Sequence, residues 1–215
     1  MKLPLLPLFT LLFTFATLAS AEEKTVIIFG DSITAGSAMV ADERGQAWPR
    51  LLADQTKGRL HVIAQGKPGR TTNSESDFKI VLEKIPKAGI VVFALGTNDS
   101  NPNSDGVTPA VAHIKSMVEA ARAAYGPSLQ ILIIGPTNIN KDALQKRQET
   151  GAARSVRLKE INTAFEALAK EIKCDFLSLY DIVPASSLTN DGIHPDAAGN
   201  ALMAKAIQPR LVTVK

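Results

Sequence analysis

Five short runs of β-branched and aromatic residues recur along the chain, and stretches with helical spacing separate them. The runs are residues 24–29, 60–64, 90–95, 129–134 and, more weakly, 175–179. The first four read as strands covered on both faces of a parallel sheet. The stretches between them carry the helical period. Around 47–57, Trp48, Leu51 and Leu52 share one face, and Pro49 suits a first helical turn. Residues 109–125 place Val111, Ile114, Met117 and Val118 on one side and stop at Gly126-Pro127. Residues 156–172 repeat the pattern through Leu158, Ile161, Phe165, Leu168 and Ile172, and 197–212 forms a last helix. Parallel neighbours need a crossover between them. The alternation therefore predicts an α/β fold with a mainly parallel sheet and helices on both faces. Ligands of such sheets gather beyond the carboxyl ends of the strands, so the loops after Phe29, Ala64, Leu95 and Ile134 are the expected working surface. The polar stretch 137–157 is expected to be a helical insertion or a mobile flap over that surface.

The first 21 residues stand apart. Lys2 is their one charge, and the apolar run from Leu3 to Leu18 ends in Ala19-Ser20-Ala21. Pro4, Pro7 and threonines interrupt that run, which is short for a membrane span, while its small-x-small end is what a signal peptidase reads. The expected organisation is a signal peptide over 1–21 and one domain over 22–215, exported to the periplasm or secreted, with no stable membrane insertion after cleavage. The alternative is an N-terminal anchor. With 24 basic against 21 acidic residues, no long run of like charge and 5% aromatics, the chain lacks the electrostatic footprint of a nucleic-acid binder. Its single cysteine, Cys174, makes no internal disulfide and excludes cysteine-based zinc sites. The oligomeric state is not legible in the sequence.

Chemistry concentrates in four places. At the end of the first strand stands Gly30-Asp31-Ser32-Ile33-Thr34-Ala35-Gly36. A serine at a strand-to-helix turn is exposed, and its amide lies where a helix N-terminus stabilises negative charge. The plain alternative is an N-cap. Near the C-terminus stands Asp191-Gly192-Ile193-His194-Pro195. A carboxylate three residues before a histidine can fold back onto one imidazole nitrogen and leave the other free to take a proton. Here the alternatives are a simple turn or, less favoured, a metal set of Asp191, His194 and Asp196. Between these lie Gln65-Gly66-Lys67-Pro68-Gly69-Arg70-Thr71-Thr72 and Gly96-Thr97-Asn98-Asp99. A glycine amide and an asparagine amide from these loops, with the Ser32 N–H, would give three donors for a tetrahedral oxyanion. Taken singly, glycines and Asn-Asp pairs usually just make turns.

A serine loop, a glycine loop, an asparagine loop and an Asp-x-x-His turn, in that order and each at a strand end or helix entrance, closely resemble the SGNH hydrolases, also called the GDSL esterase/lipase family. The four matching blocks are Gly30-Asp31-Ser32, Gly69, Gly96-Thr97-Asn98-Asp99 and Asp191-Gly192-Ile193-His194-Pro195. Ile33 stands where the family's short name has leucine. The resemblance implies a flavodoxin-like three-layer sandwich built on a five-stranded parallel sheet. It implies Ser32 as nucleophile, His194 as general base and then acid, Asp191 as orienting carboxylate, and an oxyanion hole from the Ser32 amide, the Gly69 amide and the Asn98 side chain. Gly66 competes with Gly69, which is preferred because the family's glycine is typically followed by one residue and then threonine, as in Gly69-Arg70-Thr71. The loops look most like the small single-domain esterases of the family, including arylesterases and acyl-CoA thioesterase-like proteins.

The implied reaction is hydrolysis of a small-molecule ester through an acyl-serine, with no cofactor and no metal. The polar loops 100–109 and 138–153 favour short acyl chains or carbohydrate O-acetyl esters over lysophospholipids and acyl thioesters. The competing class is a non-catalytic flavodoxin-like binding module, although the charge of Asp31 opposes phosphate at the first loop. Asp31 reads as a scaffold residue whose carboxylate bonds loop amides. His61, in a strand, and His113, in a helix, read as structural or exposed, and Cys174 as a small core residue. Trp48 could pack its helix or line the pocket. Arg70 could meet substrate or clamp a loop, and the loop role is favoured.

Overall fold

The structure is a computed structural model that describes residues 23–146 and 150–212. The signal peptide read over 1–21 lies outside the described residues. Five strands, β1 (Lys24–Gly30), β2 (Leu60–Gly66), β3 (Ile90–Ala94), β4 (Gln130–Gly135) and β5 (Asp175–Ser178), form one sheet in the order β2-β1-β3-β4-β5, with every neighbouring pair parallel. The helices are α1 (Ser32–Ala35), α2 (Trp48–Gln55), α3 (Glu75–Lys84), α4 (Val107–Tyr125), α5 (Lys141–Lys146), α6 (Gly151–Glu171) and α7 (Ala197–Leu211).

Side chains of a strand alternate between its faces, and the five strands divide the core in two. Ile27, Phe29, Val91, Phe93, Ile131 and Ile133 pack on one side with residues of α3, α4 and α6, including Phe78, Ile114, Met117 and Phe165. Val26, Ile28, Val92, Leu132 and Ile134 pack on the other with Trp48 and Leu52 of α2 and Met203, Ala204 and Ile207 of α7. Under the first layer the rings of Phe29, Phe78 and Phe93 meet edge to face, with centroids 5.0–6.5 Å apart, a geometry that aligns ring edges with ring faces.

The strand order reverses direction at β1, so the connections leaving β1 and β3 diverge and open a crevice at their carboxyl ends. The register keeps those ends level: Gly30 lies opposite Gly66 on one side and Ala94 on the other, and Ala94 opposite Ile134. Three of the four chemical loops therefore emerge along one edge of the sheet.

Three features differ from expectation. Strand β2 is not covered on both faces: it is the edge strand of the sheet, with His61 and Ala64 exposed and Val62 and Ile63 partly so. Helix α3 carries no strong apolar stripe: only Phe78 and Val81 are buried, among charged neighbours. Helix α6 starts at Gly151, five residues earlier than the apolar spacing suggests, because its first buried side chains, Arg154 and Ser155, are polar. The stretch 137–157 thus supplies a short helix and the start of a long one. Leu144 of α5, Leu158 of α6 and Ile139 form a small third core, against which Tyr180 and Ile193 pack. Its described part is a packed support rather than a flap.

Candidate active site

Ser32 opens α1. Asp31 before it is extended, and its Oδ1 accepts from the Ile33 amide at 2.9 Å, which starts the helix two residues after the strand ends. The helix stops after one turn, at Gly36 in the left-handed region (φ +65°). Ser32 is thus held on a short strand-turn-helix element at the crevice.

The Asp-x-x-His turn arrives from the far end of the chain. Thr189 N donates to the His194 carbonyl at 2.7 Å, and Leu188 and Pro195 form an antiparallel bridge, so the turn is closed at its base. Asp196 caps α7 by accepting from Gly199 N at 2.8 Å, so its carboxylate is engaged there rather than beside Asp191 and His194. Gly192 sits at φ +74°, and a Cβ there would come within 2.7 Å of Leu144 Cδ1 and 2.9 Å of the Asn140 carbonyl. The turn can pack on α5 only because this residue has no side chain. Asn140 N donates to the Gly192 carbonyl at 2.8 Å.

These two elements bring Ser32 and His194 together across 162 positions of sequence: His194 Nε2 lies 2.8 Å from Ser32 Oγ. The other ring nitrogen, Nδ1, lies 2.6 Å from Asp191 Oδ2. Asp191 Oδ1 accepts from the amides of Ile193 at 2.8 Å and His194 at 3.0 Å. Burial alone pushes the Asp191 carboxyl up, but these two amides and the imidazole outweigh it and hold the group down to about 2. An ionised carboxylate bonded to Nδ1 fixes the ring so that Nε2 faces the hydroxyl, and the line can draw a proton off Ser32 Oγ.

After β3, Asn98 opens a 3-10 turn (Asn98–Ser100), and its Nδ2 donates to the Arg70 carbonyl at 2.9 Å. That bond uses one of the two amide protons and leaves the second for another acceptor. The next residue, Asp99, ties the loops together: its carboxylate accepts from Thr72 N at 3.0 Å and from Thr72 Oγ1 at 2.5 Å. Burial raises the Asp99 carboxyl and the Thr72 bonds oppose that rise. Nothing in the sequence beyond its adjacency to Asn98 pointed to this tie.

The two glycines of the second loop have different jobs. A Cβ on Gly66 would press onto Ala35 N at 2.4 Å, so Gly66 lets β2 pack against α1. Gly69 lies at φ +77°, and a Cβ there would meet nothing within 4 Å. It faces open space one residue from the carbonyl that holds Asn98.

Arg70 clamps. Its Nη1 donates to the Gly30 carbonyl at 2.7 Å and to the Gln65 carbonyl, Nη2 reaches Asp77 Oδ2 at 3.4 Å, and the guanidinium lies 4.0 Å from the centroid of Phe29. It locks the second loop to the strand end that precedes Ser32. Asp31 is 2% exposed, and burial pushes its carboxyl up to about 6 against the pull of the Ile33 amide and of His194. Trp48 is fully buried in the core layer of α2 and α7, where it also borders a small, partly open cavity of about 20 Å³ with Asp31, Thr34 and Met203. His61 is exposed on β2. His113 pairs with Glu75 at 2.5 Å, and Cys174 is half-buried at the edge of the first core layer. Ser32 and His194 border a shallow surface dent, walled by Gly36, Ser37, Ala38 and Met39, that has no room for even one water molecule.

Comparison with known proteins bears on the family and the fold. The family model described as GDSL-like Lipase/Acylhydrolase matches residues 28–202. The chain is 27% identical over 217 aligned residues to "Thioesterase 1/protease 1/lysophospholipase L1" of Escherichia coli (strain K12), covering 94% of this chain and 90% of that one. Among solved structures it is similar to a carbohydrate acetylesterase family member from Sinorhizobium meliloti, with 26% identity, a TM-score of 0.76, and coverage of 87% of this chain and 97% of that one. The aryl esterase of M. smegmatis, at 22% identity, shares the fold with a TM-score of 0.75 over 87% of this chain and 98% of that one.

Proposed function

The chain belongs to the GDSL-like lipase/acylhydrolase family and is a carboxylic ester hydrolase, and we propose that it cleaves short-chain acyl or carbohydrate O-acetyl esters through an acyl-serine on Ser32. The observation that carries this reading is the unbroken line Ser32 Oγ–His194 Nε2 at 2.8 Å and His194 Nδ1–Asp191 Oδ2 at 2.6 Å. In the proposed reaction His194 takes the Ser32 proton as Oγ attacks the ester carbonyl. The negative oxygen of the tetrahedral intermediate is met by the Ser32 and Gly69 amides and the remaining Asn98 proton. His194 then protonates the leaving alcohol, and the same residues activate water to hydrolyse the acyl-serine. Asp191 stays ionised throughout and steadies the imidazolium.

The name of the Sinorhizobium meliloti relative, a carbohydrate acetylesterase family member, supports a short acyl group. The name of the Escherichia coli relative supports a second reading, a lysophospholipase or acyl thioesterase with long-chain substrates. Export directed by residues 1–21 would place either activity in the cell envelope. A fluorophosphonate probe tests the nucleophile: the wild-type protein is labelled and Ser32→Ala is not, with turnover down about a million-fold by analogy with serine proteases. Undiminished labelling or esterase activity in Ser32→Ala refutes the assignment. Hydrolysis of p-nitrophenyl esters of rising chain length separates the substrates: a maximum at acetate to butyrate supports the first reading, and a maximum at eight carbons or more the second.

A further inference from the structure

Helix α6 reaches the asparagine loop with two arginines one turn apart. Arg154 is 6% exposed, and its planar head has two prongs engaged: Nη2 donates to the Thr97 carbonyl at 3.1 Å and Nε donates to Ser100 Oγ at 3.2 Å. The Ser100 hydroxyl in turn donates to the Thr97 carbonyl at 2.6 Å. Guanidinium, hydroxyl and carbonyl thus close a ring around Asn98, gripping the residue before it and the second residue after it. Thr97 and Ser100 are 5% and 0% exposed, so water does not compete for these bonds. Arg157, partly exposed, donates to the Asn101 carbonyl at 2.6 Å, where the same turn ends.

A 3-10 turn of three residues has few and poorly aligned backbone hydrogen bonds of its own. The direction of the Asn98 amide is therefore set from outside: by the Arg70 carbonyl on Nδ2, and by whatever fixes the backbone of 97–100. We infer that Arg154 is a positioning residue that holds Asn98 in register with Ser32. This rests on the reading of Asn98 as an oxyanion donor. A donor acts only if it already points where charge will develop, and a small misplacement costs it much of its effect. The fork matters as well as the charge: a lysine can reach the carbonyl or the hydroxyl, but its single ammonium does not bridge both in one plane.

The experiment is a double-mutant cycle on p-nitrophenyl acetate hydrolysis using Arg154→Lys, Asn98→Ala and the pair, in the full chain. Asn98→Ala should lower kcat by about a hundred- to a thousand-fold, as the loss of one such donor does elsewhere. Arg154→Lys should lower kcat roughly ten-fold with KM within about two-fold, and should cause no further loss once Asn98 is alanine. Arg157→Gln should change kcat less than about two-fold. In an Arg154→Ala protein shown to be folded by its thermal transition, added guanidinium should restore kcat with Asn98 present and not with Asn98→Ala. Equal losses from Arg154→Lys with and without Asn98 overturn the proposal while leaving Asn98 as a donor. An Asn98→Ala enzyme with normal kcat overturns the donor reading itself, and the positioning role falls with it.

Discussion

Replacing Asp31 by asparagine should change how stability depends on pH, and the size of the change follows from the burial of one carboxyl. Asp31 is 2% exposed beneath the nucleophile turn, and its carboxyl is raised from 3.8 to about 6 by burial. A carboxyl whose folded value is raised binds its proton more tightly in the folded state. Its contribution is fully present below 3.8 and is lost as pH rises through about 6. The gap of about two units corresponds to about 3 kcal/mol. Asparagine is nearly isosteric and keeps an oxygen for the Ile33 amide that caps α1 at 2.9 Å, but it does not titrate. The unfolding free energy of Asp31→Asn minus that of the wild type should therefore rise by about 2–3 kcal/mol between pH 4 and pH 7, and then level off. Urea unfolding followed by circular dichroism at one-unit pH steps and constant ionic strength measures this, provided the slopes against urea match. A difference that stays flat from pH 4 to 7, or falls, refutes the reasoning that burial dominates this group.

Asp191 should behave in the opposite sense: its carboxyl is held at about 2, so its stabilising effect is present above 3.8 and fades as pH falls through about 2. The stability gap between wild type and Asp191→Asn should shrink as pH falls below 4 in the same urea experiment, and kcat of the variant should fall on the order of ten-thousand-fold, as in serine proteases. Gly66→Ala should destabilise by about 2–3 kcal/mol, because its methyl meets backbone at 2.4 Å. Gly69→Ala should cost only about 1 kcal/mol, since it has positive φ but open space; midpoints of urea unfolding compare the two. Gly192→Ala should lose about 2–4 kcal/mol and lower kcat by displacing the Asp191–His194 turn. Leu144→Ala in the same chain should recover activity only in part, because the Asn140 carbonyl and the positive φ remain.

The layers of this fold could be read along the chain because the central strands β1, β3 and β4 are apolar by themselves and the helices around 109–125 and 156–172 carry their own apolar spacing. Such signals are local, and burial on both sheet faces merely cashes them in. Helix α3 and the first turn of α6 escaped because polar contacts hold much of them, and polar contacts leave no periodic trace. The site blocks were legible for a different reason. Serine, glycine, asparagine and histidine each stood beside a predicted strand end or helix entrance, where an α/β sheet gathers its chemistry. Their order matched a known pattern, but spacing alone left each of them open to a plain turn.

What the amino-acid order determined was the class of fold, the edge of the sheet where chemistry belongs, and the residue types gathered there. Only the tertiary structure decided which glycine faces open space and which packs, that Arg70 clamps a strand end instead of facing the crevice, that Trp48 is core, and that α6 reaches Asn98 through Arg154. These are contacts between segments tens of residues apart. They depend on the level register of strand ends, the close approach of backbones and the direction of a few buried polar groups, and no local periodicity encodes those.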